Sequence, residues 1–191
     1  VDGAIDRLKG LACCFTHTGH SGPWFYLVRP FEEGVPLVQD MSAGALGIGP
    51  TVDLAHALLV ALASMHDRGV LHLGVRPSKV VLGVAGGATL LDCGFPHDLL
   101  RADPRSAQAA VEARYMSPEQ AGAISRPVTE ASDLYSLGAI LFESLAGVPV
   151  VEGGTVGQVL RGHLVAPQTL RTLGVGVPRA LEESIQRMLR I

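Results

Sequence analysis

The chain contains the stretch SDLYSLGAILFESLAG at residues 132–147, and this stretch decides the architecture. Its apolar residues recur at helical spacing with little charge between them, so it predicts a long buried helix near residues 129–146. Thr129 or Ser132 is suited to cap the start of this helix, and Gly147 is suited to end it. The fold therefore has a helix at its centre rather than a sheet.

A second helical pattern lies upstream, at residues 50–68. One face of it carries Leu54, Leu58, Leu62 and Met65, and Gly69 follows as a C-cap. Short extended pieces are predicted next, at 70–75, 80–84 and 88–94, with a turn at Gly86-Gly87.

The remaining segments give weaker patterns. The start of the chain predicts a short helix at 2–11, a strand at 11–16, the turn THTGHSGP, and a buried strand at 24–31. Residues 95–127 hold four prolines and no long periodic run, which is typical of a functional or mobile segment. Further helices are predicted at 37–45, 155–162 and 178–190. We interpret the whole as one α+β domain.

Composition excludes several classes of protein. Hydrophobic residues make up 48%, charged residues 17%, and the net charge is −3, which predicts no nucleic-acid or membrane-surface partner. The apolar run at 54–65 is short for a membrane span and is interrupted by His56, so a core helix is expected and no membrane segment. Cys13, Cys14 and Cys93 form no disulfide pattern, so a cytoplasmic setting is expected.

Five segments, in chain order, resemble Hanks-type serine/threonine protein kinases in their bacterial form. They are WFYLVRPFEEGVPL (24–37), HDRGVLHLGVRPSKVVL (66–82), LLDCG (90–94), ARYMSPEQ (113–120) and the stretch quoted first. The resemblance implies a protein-kinase-like fold over residues 1–191. It divides into a remnant of a truncated small lobe (1–28), a hinge (29–36), and a mostly helical large lobe (37–191) that is incomplete at its C-terminus. The family's Gly-rich loop and strand lysine have no counterpart in the sequence.

The segment at 66–82 resembles the catalytic loop but departs from it at most of the chemical positions. His72 matches a scaffold histidine of the family. Leu73 stands where an arginine would receive an activating phosphate, and Gly74 stands where the family has its catalytic aspartate. Arg76 replaces the lysine that steadies the transferred phosphate, and Lys79 replaces the asparagine that holds a second magnesium. The loop is therefore degenerate, and no intact catalytic set is expected.

Asp92 matches the aspartate that binds magnesium in the family. Two interpretations stay open: Asp92 is a metal or nucleotide ligand, or it is an inherited acid that now pairs locally, for example with Lys79. Cys93 replaces the phenylalanine that packs next to this aspartate in the family.

The resemblance also indicates a nucleotide pocket, with ATP and magnesium as candidate cofactors. The carbonyl of Pro30 and the N–H of Glu32 would face adenine, and Val81 and Asp92 are further candidates. Arg29 stands at the position that guards the back of the pocket, which is usually apolar. It would either fill the pocket or pair with an acid such as Asp92.

The activation segment supports inactivity. Between residues 95 and 115 it contains one serine, Ser106, and no threonine that could be phosphorylated. Glu112 replaces a threonine that contacts the catalytic groups in the family. Two structural residues persist: Asp133, expected to anchor the catalytic loop through its backbone, and Glu119, whose usual arginine partner would lie beyond the last helix.

These expectations together predict a catalytically impaired pseudokinase. It would act as a regulatory or protein-binding module in signalling, using a surface near residues 95–130 and the helix at 155–162. The alternative is a divergent ATP-dependent serine/threonine kinase with weak or unusual phosphotransfer. A third interpretation is a decayed remnant without function.

Overall fold

Five short strands and six helices are present in a computed structural model that describes residues 16–84, 86–92 and 106–190. The predicted helix at 2–11, nearly all of the predicted strand at 11–16, and all three cysteines lie outside these residues.

A hairpin opens the described part of the chain. Strands β1 (His17–Ser21) and β2 (Trp24–Val28) pair antiparallel, with Ser21 opposite Trp24. The predicted turn over THTGHSGP was therefore too long, because the connection is only Gly22-Pro23, with Gly22 in left-handed backbone at φ 59°. The expected burial of β2 was also wrong: Trp24 is 74% exposed and Tyr26 47%.

A three-stranded antiparallel sheet follows, in the order β3-β4-β5. Its strands are β3 (Gly34–Pro36), β4 (Val80–Gly83) and β5 (Ala88–Leu90). The strands β4 and β5 were predicted, but β3 was not, because it lies in the segment at 29–36 that the resemblance assigned to the hinge. Gly34 allows its backbone to approach Leu82 so closely that a side chain would collide with the Leu82 carbonyl.

The helices are α1 (Leu37–Met41), α2 (Ile48–His66), α3 (Ala107–Ala113), α4 (Glu130–Ala146), α5 (Val156–His163) and α6 (Arg179–Met188). A 3₁₀ turn lies at Pro77–Lys79. The predictions for α2, α4, α5 and α6 are confirmed to within about two residues, which is the usual uncertainty of helix ends. Helix α3 was not predicted.

Helix α4 is the centre of the core. The Thr129 hydroxyl accepts from the Ala131 N–H, and the Ser132 hydroxyl accepts from the Thr129 N–H, so both candidate caps take part. Gly147 ends the helix at φ 71°. Helix α2 packs on α4, and α6 crosses α4 at Gly138, where an added Cβ would lie 2.8 Å from the Met188 Cβ. The buried apolar residues of this core include Leu54, Leu58, Leu62, Leu137, Ile140, Leu141, Phe142, Ile185 and Leu189.

Helix α2 has the predicted length of 19 residues but begins and ends two residues earlier. By length and composition alone it is long and apolar enough to cross a membrane. Its face of Leu54, Leu58, Leu62 and Met65 is buried, as in the core helix of a folded domain. This burial supports the core-helix interpretation. The whole is an α+β arrangement in which helices predominate.

Candidate functional site

Asp133, in the first turn of α4, anchors the loop that follows α2. Its side chain is 1% exposed, and its two oxygens accept from the backbone N–H groups of His72 and Leu73, both at 2.8 Å. The Nε2 atom of His66 lies 2.9 Å from the same carboxylate. Because three polar groups converge on one buried carboxylate, the loop at 72–74 is fixed to the core helix, as the sequence predicted for Asp133.

His72 fixes the same loop from its other side. Its Nε2 donates to the carbonyl of Leu91 at 3.0 Å, and its Nδ1 accepts from the N–H of Gly74 at 3.1 Å. This pattern requires the neutral ring. Burial lowers the pKa of His72, against the opposing influence of Asp133, which agrees with the neutral form.

The loop backbone is held in a strained conformation at Leu73. This residue has φ 57°, the left-handed region that a branched apolar residue rarely adopts. The side-chain amide of Gln120 donates to the Leu73 carbonyl at 2.6 Å. Gln120 was missed as a site residue, although it belongs to the SPEQ run that the sequence singled out.

Asp92 lies at the end of β5 and is flanked by two cations. Its Oδ2 accepts a hydrogen bond from Lys79 Nζ, and its Oδ1 lies 3.2 Å from Arg29 Nε. Asp92 itself has φ 58°, again left-handed. The local pairing that the sequence suggested for Asp92 is thus present with both candidate partners. The carboxylate is neutralised by the protein's own side chains.

A model of the family described as "Protein kinase domain" matches residues 13–189. The chain belongs to the protein kinase domain family. It is a bacterial-like member of the Hanks type, as the resemblance implied.

Curated relatives agree with this assignment. The chain is 31% identical over 156 residues to "Serine/threonine-protein kinase pkn2" of Myxococcus xanthus, which covers 78% of this chain and 18% of that protein. It is 28% identical over 163 residues to "Serine/threonine-protein kinase PknB" of Mycobacterium leprae, covering 82% of this chain and 26% of that protein. The "Probable serine/threonine-protein kinase PknB" of Lactococcus lactis is also 28% identical, over 84% of the chain. The chain thus spans about a quarter or less of these relatives.

Magnesium in this family sits between an aspartate and an asparagine, and the residues here fit it poorly. Lys79 occupies the asparagine position, and its ammonium contacts Asp92 directly. A divalent cation prefers oxygen ligands and would be repelled by an ammonium group there. Within residues 16–84, 86–92 and 106–190, no group of three or more His, Cys, Asp or Glu side chains is placed to hold a metal.

The nucleotide-binding candidates lie along the connection to β3 and on β4. The Pro30 carbonyl, expected to face adenine, accepts from Arg29 Nη1 at a long 3.4 Å. Glu32 is partly buried two residues further on, and Val81 is partly buried on β4, opposite Pro36. Arg29 therefore contacts two of the nucleotide-binding candidates, Pro30 and Asp92.

Arg76 and Glu112 replace another pair of family residues, and they face each other. The Arg76 Nη2 lies 3.8 Å from Glu112 Oε1, with both side chains about one-sixth exposed, and Gln108 also donates to Glu112. Helix α3 is thereby connected to the catalytic loop by charge. In an active kinase this space serves the incoming hydroxyl group and the transferred phosphate.

The SPEQ run is fixed to the start of α4. Glu119 accepts from the Ser132 hydroxyl at 2.5 Å, so it contacts the residue that completes the capping box of α4. Nearby, the Tyr115 hydroxyl donates to Glu143 at 2.7 Å, and burial raises the pKa of both groups. These contacts support the structural role predicted for Glu119.

His163 joins three helices and was not singled out by the sequence. Its Nε2 donates to the Ala113 carbonyl at the end of α3, at 2.9 Å, and its Nδ1 accepts from the Tyr135 hydroxyl of α4, at 2.6 Å. The ring is 2% exposed, and burial lowers its pKa. A lone histidine on a short helix gave no signal for this contact.

Proposed function

We propose that this domain is a catalytically impaired protein kinase that acts as a regulatory, protein-binding module in signalling. One observation carries the proposal. The catalytic loop is held in place by Asp133 and His72, yet position 74 is glycine. The loop thus keeps its architecture but has no carboxylate to accept the proton of an attacking hydroxyl.

The ion pairs in the site support the same conclusion. Lys79 and Arg29 neutralise Asp92, and Arg76 faces Glu112. The charges that a kinase directs at magnesium and phosphate are here directed at one another.

Phosphotransfer from radiolabelled ATP to a mixture of serine- and threonine-containing peptides tests this proposal. We expect no transfer above background for the unmodified chain. Since loss of an oriented general base costs about 10²–10⁴-fold in rate, Gly74→Asp is the variant in which transfer would reappear. An inactive control carries Gly74→Asn, which has similar volume and no proton-accepting carboxylate. Robust transfer by the unmodified chain that Asp92→Asn abolishes would overturn the proposal.

The alternative is a divergent ATP-dependent serine/threonine kinase, and the retention of Asp92 in left-handed backbone favours it. Thermal unfolding with ATP and magnesium separates nucleotide binding from chemistry. A ligand at 100 times its dissociation constant stabilises by about 2.7 kcal/mol. For a domain of this size that corresponds to a rise of roughly 5–10 °C in Tm. We expect no rise at 5 mM ATP and magnesium. A rise in the unmodified chain would favour the alternative.

A further inference from the structure

A groove that the kinase-like site does not use lies beside α6. Its volume is about 600 Å³, which is within the range of ligand sites in proteins, about 300–1,000 Å³. One wall is the outer face of α6, and the other is the turn that precedes this helix in the chain. Four arginines line the groove: Arg171 on the turn, Arg179 and Arg187 on α6, and Arg190 just after the helix.

Hydrogen bonds fix the two walls of the groove to each other. Glu182, which is 9% exposed, accepts from the Arg171 N–H at 2.9 Å. One turn further along α6, the side-chain amide of Gln186 donates to the Gln168 carbonyl at 3.1 Å. The groove is therefore preformed, and a ligand that enters it does not have to order its walls.

Two carboxylates also line the groove, and each already has a cationic partner. Glu183 Oε1 lies 2.6 Å from Arg179 Nε, and Glu182 Oε2 lies 3.9 Å from Arg171 Nε. The second contact is too long for a hydrogen bond, and the Arg171 side chain is 76% exposed. Arg171 therefore presents most of its donors to solvent.

Arg187 and Arg190 carry the unbalanced charge of the groove. Both are exposed, and neither side chain forms a hydrogen bond or an ion pair within residues 16–84, 86–92 and 106–190. Arg187 influences the charge of Glu183, but Arg179 already holds that carboxylate. Like charges three residues apart on a helix repel, and the helix terminus offers only about half an elementary negative charge. An anion between the two guanidinium groups would remove this repulsion.

The groove belongs to a part of the chain whose charge is opposite to that of the whole. Residues 161–190 contain five arginines and two glutamates, whereas the chain has a net charge of −3. Positive charge concentrated on one part of a surface attracts anionic partners and speeds their encounter. The α6 end of the domain is thus a cationic face on an otherwise acidic protein.

We propose that this groove binds an acidic segment of a partner protein, with Arg171, Arg187 and Arg190 as the charge partners of its carboxylates. The inference rests on the proposed protein-binding function and gives it a surface outside the kinase-like site. A guanidinium presents parallel N–H donors that match the two oxygens of a carboxylate.

The length of the groove favours a chain segment over a single small anion. From Arg179 to Arg187 the helix rises about 12 Å, which an extended segment of about four residues covers. Side chains on one face of an extended segment recur at every second residue, about 6.5–7 Å apart. Alternate carboxylates of such a segment can therefore reach successive arginines.

Fluorescence anisotropy with a labelled peptide tests the inference. The probe is Ala-Glu-Ala-Glu-Ala-Glu-Ala, and the comparison peptide has glutamine in place of every glutamate. We expect the 191-residue chain to bind the first peptide and not the second. Binding should weaken steeply between about 0.1 M and about 1 M salt, because the screening length falls from about 10 Å to about 3 Å. In nitrogen-15 NMR, the backbone amides at 169–172 and 186–190 should shift with the glutamate peptide.

Variants of the groove should change the affinity in opposite directions. Arg187→Gln combined with Arg190→Gln should weaken binding about tenfold, at about threefold for each exposed pair. Glu183→Gln should strengthen binding about two- to threefold, because it releases Arg179 to the ligand. All three side chains are exposed, and melting curves show that each variant is folded.

The matched control removes the same two charges from exposed positions elsewhere, as Arg126→Gln combined with Arg161→Gln, and should leave the affinity unchanged. Equal losses in the two double variants would refute the inference, because they would indicate a nonspecific charge effect. It would also be overturned by a glutamate peptide that does not bind, or by inorganic phosphate or oligothymidylate that binds as tightly as the peptide. None of these results bears on phosphotransfer, so the radiolabel assay tests the proposed function separately.

Discussion

Replacing Asp133 is expected to loosen the catalytic loop and to destabilise the whole domain. Asp133→Ala leaves the buried N–H of His72 and the part-buried N–H of Leu73 without their acceptor, and His66 loses its partner. Hydrogen bonds to charged groups contribute about 1.5–3 kcal/mol each. Since His66 can bind water instead, we count the two backbone bonds and expect a loss of about 3–6 kcal/mol in the free energy of unfolding.

The geometry also predicts an order of severity. Asp133 Oδ2 accepts two bonds and Oδ1 accepts one. An asparagine can therefore keep its oxygen at the Oδ2 position and lose only the bond from Leu73, so Asp133→Asn should cost about half as much as Asp133→Ala. With a urea m-value near 2 kcal/mol/M, the midpoint should fall by about 2 M for alanine and about 1 M for asparagine. Hydrogen exchange at residues 72–74 should accelerate in both variants.

A matched control is available on the neighbouring helix. Asp53 is an exposed aspartate of α2, and Asp53→Ala should change the urea midpoint by less than about 0.3 M. If Asp133→Ala shifted the midpoint no more than Asp53→Ala, or if asparagine were as severe as alanine, the anchoring argument would be refuted.

Two further predictions concern helix α5. Because burial lowers the pKa of His163 in the folded chain, this side chain takes up a proton at a higher pH when the chain is unfolded. The free energy of unfolding should therefore fall as the pH drops below about 6.5. His163→Gln should remove part of this slope in urea unfolding between pH 7.5 and 5.5, whereas the exposed His56→Gln should leave it unchanged; an equal slope in all three proteins would contradict the assignment. Gly157→Ala should stabilise by about 0.5–1 kcal/mol, since a Cβ there meets only an ordinary contact. Gly162→Ala, on the same helix, should destabilise by about 1–3 kcal/mol because its Cβ would collide with Val151; stabilisation by both changes would show that the crowding is relieved without cost.

The sequence predicted the long elements well because their signals are local. Helix α4 combines helical periodicity, a capping pair and a terminal glycine, and all three act within the element itself. Helix α3 is short, and its alanines carry little periodic signal, so it was missed. The exposure of Trp24 was also missed, because aromatic composition indicates strand propensity but does not say what packs against the strand.

The contacts of the candidate site were likewise only partly predictable from the sequence. The resemblance placed His72 and Gly74 in the catalytic-type loop and Asp133 as its anchor, and the hydrogen bonds from the loop backbone to Asp133 agree with this. The pairing of Arg29 with Asp92 was one of two alternatives, because it joins residues 63 positions apart and depends on how the hinge approaches β5. The arginine-lined groove beside α6 had no sequence signal at all, since it depends on how the preceding turn packs against the helix.

The energies of the ion pairs separate the proposed loss of phosphotransfer from any loss of nucleotide binding. The side chains of Arg29, Lys79 and Asp92 are each roughly 30% exposed, and exposed ion pairs contribute only about 0–1 kcal/mol each. A ligand with micromolar affinity brings about 8 kcal/mol, so these pairs alone would not keep a well-matched nucleotide out. Glycine at position 74 is different, because no rearrangement of the loop can give it a carboxylate. The proposed loss of phosphotransfer therefore rests on one position, in a loop that Asp133 and His72 hold in place. Any loss of nucleotide binding would have to come from the sum of several weak contacts, of which these ion pairs are only a part.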